Sequence, residues 1–512
     1  MPTYLSPGVY VEEVDSGSRP IEGVGTAVAA FVGLAETGPV NQPTLVTNWS
    51  QYVSNFGSFV EGAYLAQSVY GYFQNGGGAC YVVRIGAEAS SNGDSPPALG
   101  AGASTAAEAS LAGLKVQALE SGPAGNDITV EVADAPEGAA EDTFNLNVKR
   151  GDKVVESFES VSLKKGRQNV VTVVNAQSKT IRLEDLGLAS ETAAKGAVTL
   201  AGGGAPVPVR VTPDDYVGDA ADRTGFGGLE AIDEVTMVCV PDLMSAYQKG
   251  VVDLEGVQAV QLAMIAHCEL MGDRIAILDP PPGLNAQQIK EWRVDKVGYD
   301  SKYAALYWPW VKVFDPASGS NQHIPPSGYM AGIWGRNDDT RGVHKAPANE
   351  VVRGALGLEV NITKNEHDLL NPVGINCIRA FPGKGIRVWG ARTLSSDASW
   401  RYLNVRRLFN YLEESILQGT DWVVFEPNDM ALWSKIRRTI SAFLVNEWRK
   451  GALFGATPGE AFYVKCDGET NPAEGIDAGQ VVCEIGLAPV KPAEFVIFRM
   501  SQYSGGTSLV AE

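Results

Sequence analysis

Four histidines, His267, His323, His344 and His367, bound the acid–base chemistry open to this chain of 512 residues. A serine hydrolase needs a nucleophile, a base and an acid that orients the base. The Gly-x-Ser-x-Gly elbow that presents such a serine is absent from the sequence. His267 falls in an apolar stretch of helical spacing, where packing accounts for it better than proton transfer. His344 and Asp339 share a short run that reads as a packed loop. The adjacency of His267 and Cys268 is poor geometry for zinc. Asn337-Asp338-Asp339 lacks the spacing of a calcium loop, and Gly23-Val24-Gly25 lacks that of a phosphate loop. Tyr307-Trp308-Pro309-Trp310 could stack a sugar, yet at a strand end it reads as packing. The chain is therefore expected not to be an enzyme, with no catalytic residue, metal ligand or cofactor.

Composition narrows the classes further. Hydrophobic residues make up 45% of the chain, enough for several buried cores. The net charge of −19 argues against a general nucleic-acid binder, which displaces counterions with basic surface. The first twenty residues lack the apolar core of a secretory signal, and no apolar run approaches a membrane span. Assembly in a bacterial cytoplasm, without membrane insertion, is the expectation. The six cysteines are scattered, form no Cys-x-x-Cys pair and read as buried free thiols.

The elements that position these residues follow an α/β pattern with an interruption. Residues 1–20 hold one short strand, 9–14, between a Pro-Gly turn and a polar linker. Such a strand must complete a sheet elsewhere. Strands at 26–33 and 80–85 flank helices at 49–56 and 64–73. An Ala/Gly/Ser-rich stretch then opens an inserted β-rich domain, with runs at 128–132, 144–148, 170–174 and 181–183. The α/β pattern resumes with strands at 235–240, 274–279 and 303–308 and helices at 248–271 and 284–298, which implies a mostly parallel sheet covered on both faces. The last part reads as α+β: a strand at 387–390, a helix at 398–418 capped by Asp397, a strand at 422–425, a helix at 430–450 capped by Asn428 or Asp429, strands at 462–466 and 481–487, and a final strand at 495–503 beyond the stiff Pro489-Val490-Lys491-Pro492 spacer.

The order of several strings carries a resemblance. They are Tyr4-Leu5-Ser6-Pro7-Gly8-Val9-Tyr10-Val11-Glu12-Glu13; Phe31-Val32-Gly33-Leu34-Ala35-Glu36-Thr37-Gly38-Pro39; Tyr72-Phe73-Gln74-Asn75-Gly76-Gly77-Gly78-Ala79-Cys80-Tyr81-Val82-Val83-Arg84; Ala304-Ala305-Leu306-Tyr307-Trp308-Pro309-Trp310-Val311; Asp339-Thr340-Arg341-Gly342-Val343-His344-Lys345-Ala346-Pro347-Ala348-Asn349; and Val388-Trp389-Gly390-Ala391-Arg392-Thr393-Leu394. Together they resemble the contractile tail sheath family of phages, R-type pyocins and extracellular contractile injection systems, outside the insertion. The resemblance implies a subtilisin-like α/β domain, 21–86 with 206–375, interrupted by a β-rich outer domain, 87–205. It further implies an α+β domain nearest the tube, 376–491, between strand-exchange arms at 1–20 and 492–512. Sheath subunits of this family form hexameric rings stacked helically around an inner tube, with baseplate and cap proteins as further partners, and contract to drive the tube through a target envelope.

On this reading Val9, Tyr10, Val11 and Val14, with Phe495, Val496, Ile497 and Phe498, are donated to neighbours. Phe462, Tyr463, Val464, Val481, Val482 and Ile485 receive them. Residues 379–450 hold twelve Lys/Arg against seven Asp/Glu, a net +5 in an acidic chain. At helical spacing Lys435, Arg438, Arg449 and Lys450 share one face, suited to an acidic tube. The alternative from another class is a degenerate subtilisin-like hydrolase or a carbohydrate-binding surface protein.

Overall fold

Strands that are apolar on both faces require cover on both sides. Val28–Gly33, Ile275–Leu278 and Ala304–Trp308 are such runs, and they are buried almost throughout in the computed structural model. The model describes residues 20–500, apart from 89–98, 102–105, 136–142, 186–195, 203–207 and positions 112, 122, 152, 165 and 167. Eight strands form the main sheet, in the order Thr44–Val46, Ala79–Arg84, Val28–Gly33, Met237–Cys239, Ile275–Leu278, Ala304–Trp308, Ile375–Phe381 and Gly385–Val388. The inner neighbours run parallel, and the two edge strands run antiparallel.

Helices cover this sheet, and two of them meet at unusually close range. Helix Ser327–Arg341 presents Gly328 and Gly332, one turn apart, to helix Leu65–Asn75. A Cβ on Gly332 would lie 2.3 Å from the Tyr72 carbonyl oxygen, and one on Gly328 would lie 2.5 Å from that of Ser68. Only glycine permits that approach. Helix Leu254–Met271 starts one residue after Asp253, whose carboxylate accepts the Gly256 amide at 2.8 Å.

Carboxylates also close the sheet's carboxyl ends. Asp242, just past Met237–Cys239, accepts the amides of Leu34, at 2.7 Å, and Tyr64. Asp279, just past Ile275–Leu278, accepts the Ser327 amide at 2.9 Å and its hydroxyl at 2.5 Å. Both are fully buried. Burial pushes Asp242 up to about 6 and Asp279 up to about 7, against the opposing pull of those hydrogen bonds.

The insertion has its own core, which includes Val130, Leu146, Val170 and Leu183. It carries a four-stranded sheet, Lys153–Val161, Phe144–Arg150, Ile128–Asp134 and Gly196–Thr199, and a three-stranded one, Ile181–Asp185, Leu114–Ser121 and Ala106–Leu111. A small sheet of Ala87–Glu88, Pro208–Arg210 and Leu99–Ala101 forms its neck.

The C-terminal region centres on helices Leu403–Gly419 and Met430–Arg449. Their buried faces, Leu408 and Leu412 against Ile436, Ile440 and Phe443, form a third core. Two arginines join it to the central unit. Arg407 grips Asp338 through both guanidinium ends, at 2.9 and 2.6 Å, with both side chains 4% exposed. Thr26 adds its hydroxyl to Asp338 at 2.6 Å, and its carbonyl accepts from Arg407 at 3.0 Å. Arg406 stacks on Trp400 and Tyr303, 4.5 and 4.9 Å from the ring centres.

Several expected elements differ. Residues 170–174 form a helix, Val170–Gln177, because Asn169 caps it by accepting the Thr172 amide, and Val170 and Val174 fall on one buried face. Local capping overrides β-branched propensity here. The helix expected from Ala398 begins at Leu403, since Asp397 accepts the Ser399 amide and turns the connector instead. Residues 422–425 form no strand; Asp421–Val423 is a 3-10 turn, and Phe425 has a left-handed φ of 68°. The helix expected over 284–298 is Ala286–Glu291 followed by a π-helical stretch, Trp292–Val297. Residues 495–500 lie in no strand. The α/β boundary expected at 375 is also displaced, because Ile375–Phe381 pairs parallel to Ala304–Trp308 and carries Gly385–Val388 on its far side.

Two predictions follow from the buried charges. Asp338→Ala strands Arg407 without its counter-charge and should cost about 3–5 kcal/mol, whereas the paired change Asp338→Leu with Arg407→Met should lie closer to the parent protein. Urea denaturation followed by tryptophan fluorescence reads both; equal losses would contradict the pairing. Asp279 has a raised folded pKa, so its contribution is greatest below the unfolded value, 3.8, and is lost as pH rises through about 7. The Tm of Asp279→Asn minus that of the parent should therefore rise between pH 4 and pH 8 and level off above. A difference independent of pH would contradict this.

Candidate functional site

An isolated two-stranded sheet is marginal in water and gains stability from a further strand or from a helix packed on it. Phe462–Lys465 and Glu484–Leu487 form such a sheet, paired antiparallel from Phe462 with Leu487 to Lys465 with Glu484. Beyond Leu487 the chain continues the ladder in outline: Ala488 donates to the Ala461 carbonyl, and Phe454 donates to that of Ala488 at 2.7 Å. Among the described residues no third strand joins the sheet. Of the expected acceptors, Phe462, Tyr463, Val464 and Ile485 lie in these strands, with Tyr463 59% exposed. Val481 and Val482 precede the strand instead. Asn471 holds Val482 by accepting its amide at 2.7 Å and donating to its carbonyl at 3.0 Å, which takes that backbone out of the ladder.

The segment that follows is anchored and then released. Asn404 donates to the Val490 carbonyl at 3.1 Å. Glu494 accepts from Arg392 at 2.9 and 2.6 Å and from Asn371 at 2.7 Å. Burial pushes the Glu494 carboxyl up, but the hydrogen bonds from Arg392 and Asn371 and the arginine charge together hold it below the ordinary range. Beyond this clamp Phe495, Val496, Ile497 and Phe498 are each at least two-thirds exposed, and Met500 is 96% exposed. Phe495 and Val496 border a cleft of about 750 Å³ that Lys345, Arg379, Trp389 and Tyr402 also line.

The other expected donors, Val9, Tyr10, Val11 and Val14, lie outside the described residues. The chain that leads from them is held by the same C-terminal region. Val24 donates its amide to the Ser415 hydroxyl at 3.1 Å, and Ile21 belongs to the C-terminal core.

The basic helix face is present with unequal members. Arg438 and Arg449 are exposed. Lys435 is half-buried with its ammonium 4.0 Å from the Trp422 ring centre. Lys450 is exposed but paired with Glu447 at 2.7 Å. The face as drawn from sequence had no means to show that two of its four charges are engaged within the chain.

The groups tested for chemistry are dispersed. His267 is pushed down to about 4 by burial and then by Arg274. His344 and His367 are also lowered by burial, and His323 lies on the separate strand Ser320–Ile324. Tyr307, Trp308 and Trp310 are fully buried, so they pack the core and offer no sugar platform. Among the described residues no group of three or more His, Cys, Asp or Glu could hold a metal ion, and no helix is long and apolar enough to cross a membrane.

The Asp338–Arg407 grip escaped the sequence reading. Its signal was present: Leu403, Arg407 and Asn410 share the spacing of the buried face of Leu403–Gly419, where an arginine demands a partner.

Known proteins place these features in one family. Residues 211–394 match the phage tail sheath protein central domain, and residues 395–502 match the phage tail sheath C-terminal domain, together more than half of the chain. The tail sheath protein of Burkholderia phage BcepMu is 24% identical over 517 residues, covering 96% of this chain and 95% of that protein. The tail sheath protein of Vibrio phage KVP40 is 28% identical over 43% of this chain, and the putative prophage major tail sheath protein of Pseudomonas aeruginosa is 28% identical over 48%. Those two matches span 34% and 61% of the relatives' lengths. In fold, the chain is similar to the sheath complex of the PVC extracellular contractile injection system in its contracted state, with a TM-score of 0.59 at 24% identity over 98% of this chain and 99% of that one. The contracted helical sheath of the anti-feeding prophage gives a TM-score of 0.59 at 24% identity, covering 98% of this chain and all of the other. The chain belongs to the contractile tail sheath family, whose members are structural components of phage tails and phage tail-like particles.

Proposed function

We propose that the chain is the repeating subunit of a contractile sheath, stacked as hexameric rings around an inner tube and joined to neighbours by exchanged strands. The observation that carries this reading is the juxtaposition of an incomplete two-stranded sheet with an unpaired apolar tail. Phe495, Val496, Ile497 and Phe498 expose side chains that a monomer gains nothing by presenting to water. Added to a neighbour's Phe462–Lys465 and Glu484–Leu487 sheet, such a tail gains backbone hydrogen bonds of about 1 kcal/mol net each. Residues 9–14 of another copy serve as the second addition.

The clamp at Glu494 sets where the C-terminal joint bends. A rotation between subunits during contraction is absorbed past the clamp, while strand pairing persists. The body between the arms, a subtilisin-like α/β unit with its outer insertion and the tube-proximal C-terminal unit, moves as one piece, because Arg407 and Arg406 tie the C-terminal helix to the central unit. Arg438 and Arg449 face the tube, with Lys435 and Lys450 as lesser contributors. Exposed ion pairs of ~0–1 kcal/mol each suit a grip that must release. Baseplate and cap proteins hold the ends of the lattice, assembly takes place in a bacterial cytoplasm, and contraction drives the tube through a target envelope.

The purified chain should form tubular polymers with a wide lumen under negative-stain electron microscopy. Inert monomers with peptidase activity would sink the reading. Deleting residues 1–14, or separately 495–512, should leave a folded protein by circular dichroism that no longer polymerises, and unchanged tubes would rule out the deleted arm as a joint. Charge reversal of Arg438 and Arg449 together should weaken co-sedimentation with the isolated tube, while parental binding falls as salt is raised. Tube binding insensitive to both changes would remove this face from the contact.

A further inference from the structure

The six cysteines divide into two groups. Cys80, Cys239, Cys268 and Cys377 are buried within the central core. Cys466 and Cys483, seventeen positions apart in sequence, end up beside each other. The ladder's last pair is Lys465 with Glu484, so the next step brings Cys466 opposite Cys483. Directly opposed residues in an antiparallel pair have Cα atoms about 4.5 or 5.5 Å apart, and both spacings fall within the ~4.4–6.8 Å that a disulfide spans.

Further contacts hold the two positions. Asn471 donates to the Cys466 sulfur at 3.8 Å and is bonded to both backbone groups of Val482, the residue before Cys483. Arg437 donates to the Cys466 carbonyl from the Met430–Arg449 helix. Each thiol bears on the protonation of the other. Cys466 is buried, while Cys483 is partly open to solvent. All six cysteines are free, as their spacing led us to expect, and Cys483 alone is only partly buried.

We propose that Cys466 and Cys483 are a disulfide-forming pair that closes residues 467–482 into a covalent loop when the protein meets a low-molecular-weight disulfide. The Cys483 thiolate attacks one sulfur of that disulfide, whose S–S bond breaks. One small thiol leaves with the bonding electron pair and takes a proton from solvent. Cys466, giving its proton to solvent, then attacks the Cys483 sulfur of the mixed disulfide and expels the second small thiol. The protein pair is oxidised by two electrons, and the small disulfide is reduced to two thiols. Burial, with the neighbouring Cys466, pushes Cys483 up to about 12, so the reaction is slow at neutral pH and quickens with alkalinity.

The pairing requires only this chain's own fold. Its consequence, a covalent lock on the strand-accepting sheet, rests on the function proposed above. To test it, the full-length purified chain is incubated with oxidised glutathione at pH 8.5, acid-quenched, alkylated and digested after glutamate. Cleavage at Glu469 and Glu474 separates the two cysteines unless a bond joins them. The expected result is a cross-linked peptide pair containing Cys466 and Cys483, an intact mass lower by about 2 Da before reduction, and loss of that species in Cys483→Ser and in Cys466→Ser. Full alkylation of both cysteines, glutathione adducts that never resolve, or a link to a second copy would each overturn the proposal. Polymer formation by the same sample reports separately on the sheath reading.

Discussion

A buried arginine must have its counter-charge within reach, and in this chain that requirement joins segments far apart in sequence. Arg407 lies on a helix of the C-terminal region, Asp338 lies on a helix of the central unit, and Thr26 lies on the entry to the first core strand. Arg407 and Asp338 meet where almost no water reaches, with Thr26 half-buried beside them. Displacing Arg407 or Asp338 leaves a charge unpaired in a medium that solvates it poorly, which ties the C-terminal region to the sheet. Arg406, held between the Trp400 and Tyr303 rings and bonded to Asn410 at 2.6 Å and Glu413 at 2.7 Å, repeats the constraint one residue earlier.

The same economy of polar groups appears where an α/β enzyme would bind its ligand. The carboxyl ends of parallel strands form the usual crevice. Here Asp242 and Asp279 occupy that position and are spent on the protein's own amides and on Ser327. Trp310 adds an indole hydrogen bond to the Pro280 carbonyl at 3.0 Å. The crevice is closed by its own loops, and a run of exposed apolar side chains lies elsewhere, beyond the Glu494 clamp.

Legibility followed the range of the interactions. The alternating α/β order, the buried strands at 28–33, 275–278 and 304–308, the insertion and the two long C-terminal helices could be read from periodicity, because each depends on neighbours a few residues away. The misses have two causes, a local cap and contacts made only in the fold. Val170 to Val174 are β-branched, yet Asn169 capped them into a helix. The 375 boundary failed because whether Ile375–Phe381 joins the main sheet depends on Ala304–Trp308, some seventy residues earlier. Lys435 and Lys450 shared the expected face, but Trp422 and Glu447 took part of their charge.

By itself the sequence determined the α/β class, the interrupted layout, the ordered strings typical of tail sheaths and the apolar character of the tail, since composition and spacing are properties of the chain before it folds. Only the tertiary structure decided that Arg407 meets Asp338, that Cys466 faces Cys483, and that the tail is clamped at Glu494 and bare beyond it. These depend on distances between residues far apart in sequence, which are set when the whole chain buries its apolar surface.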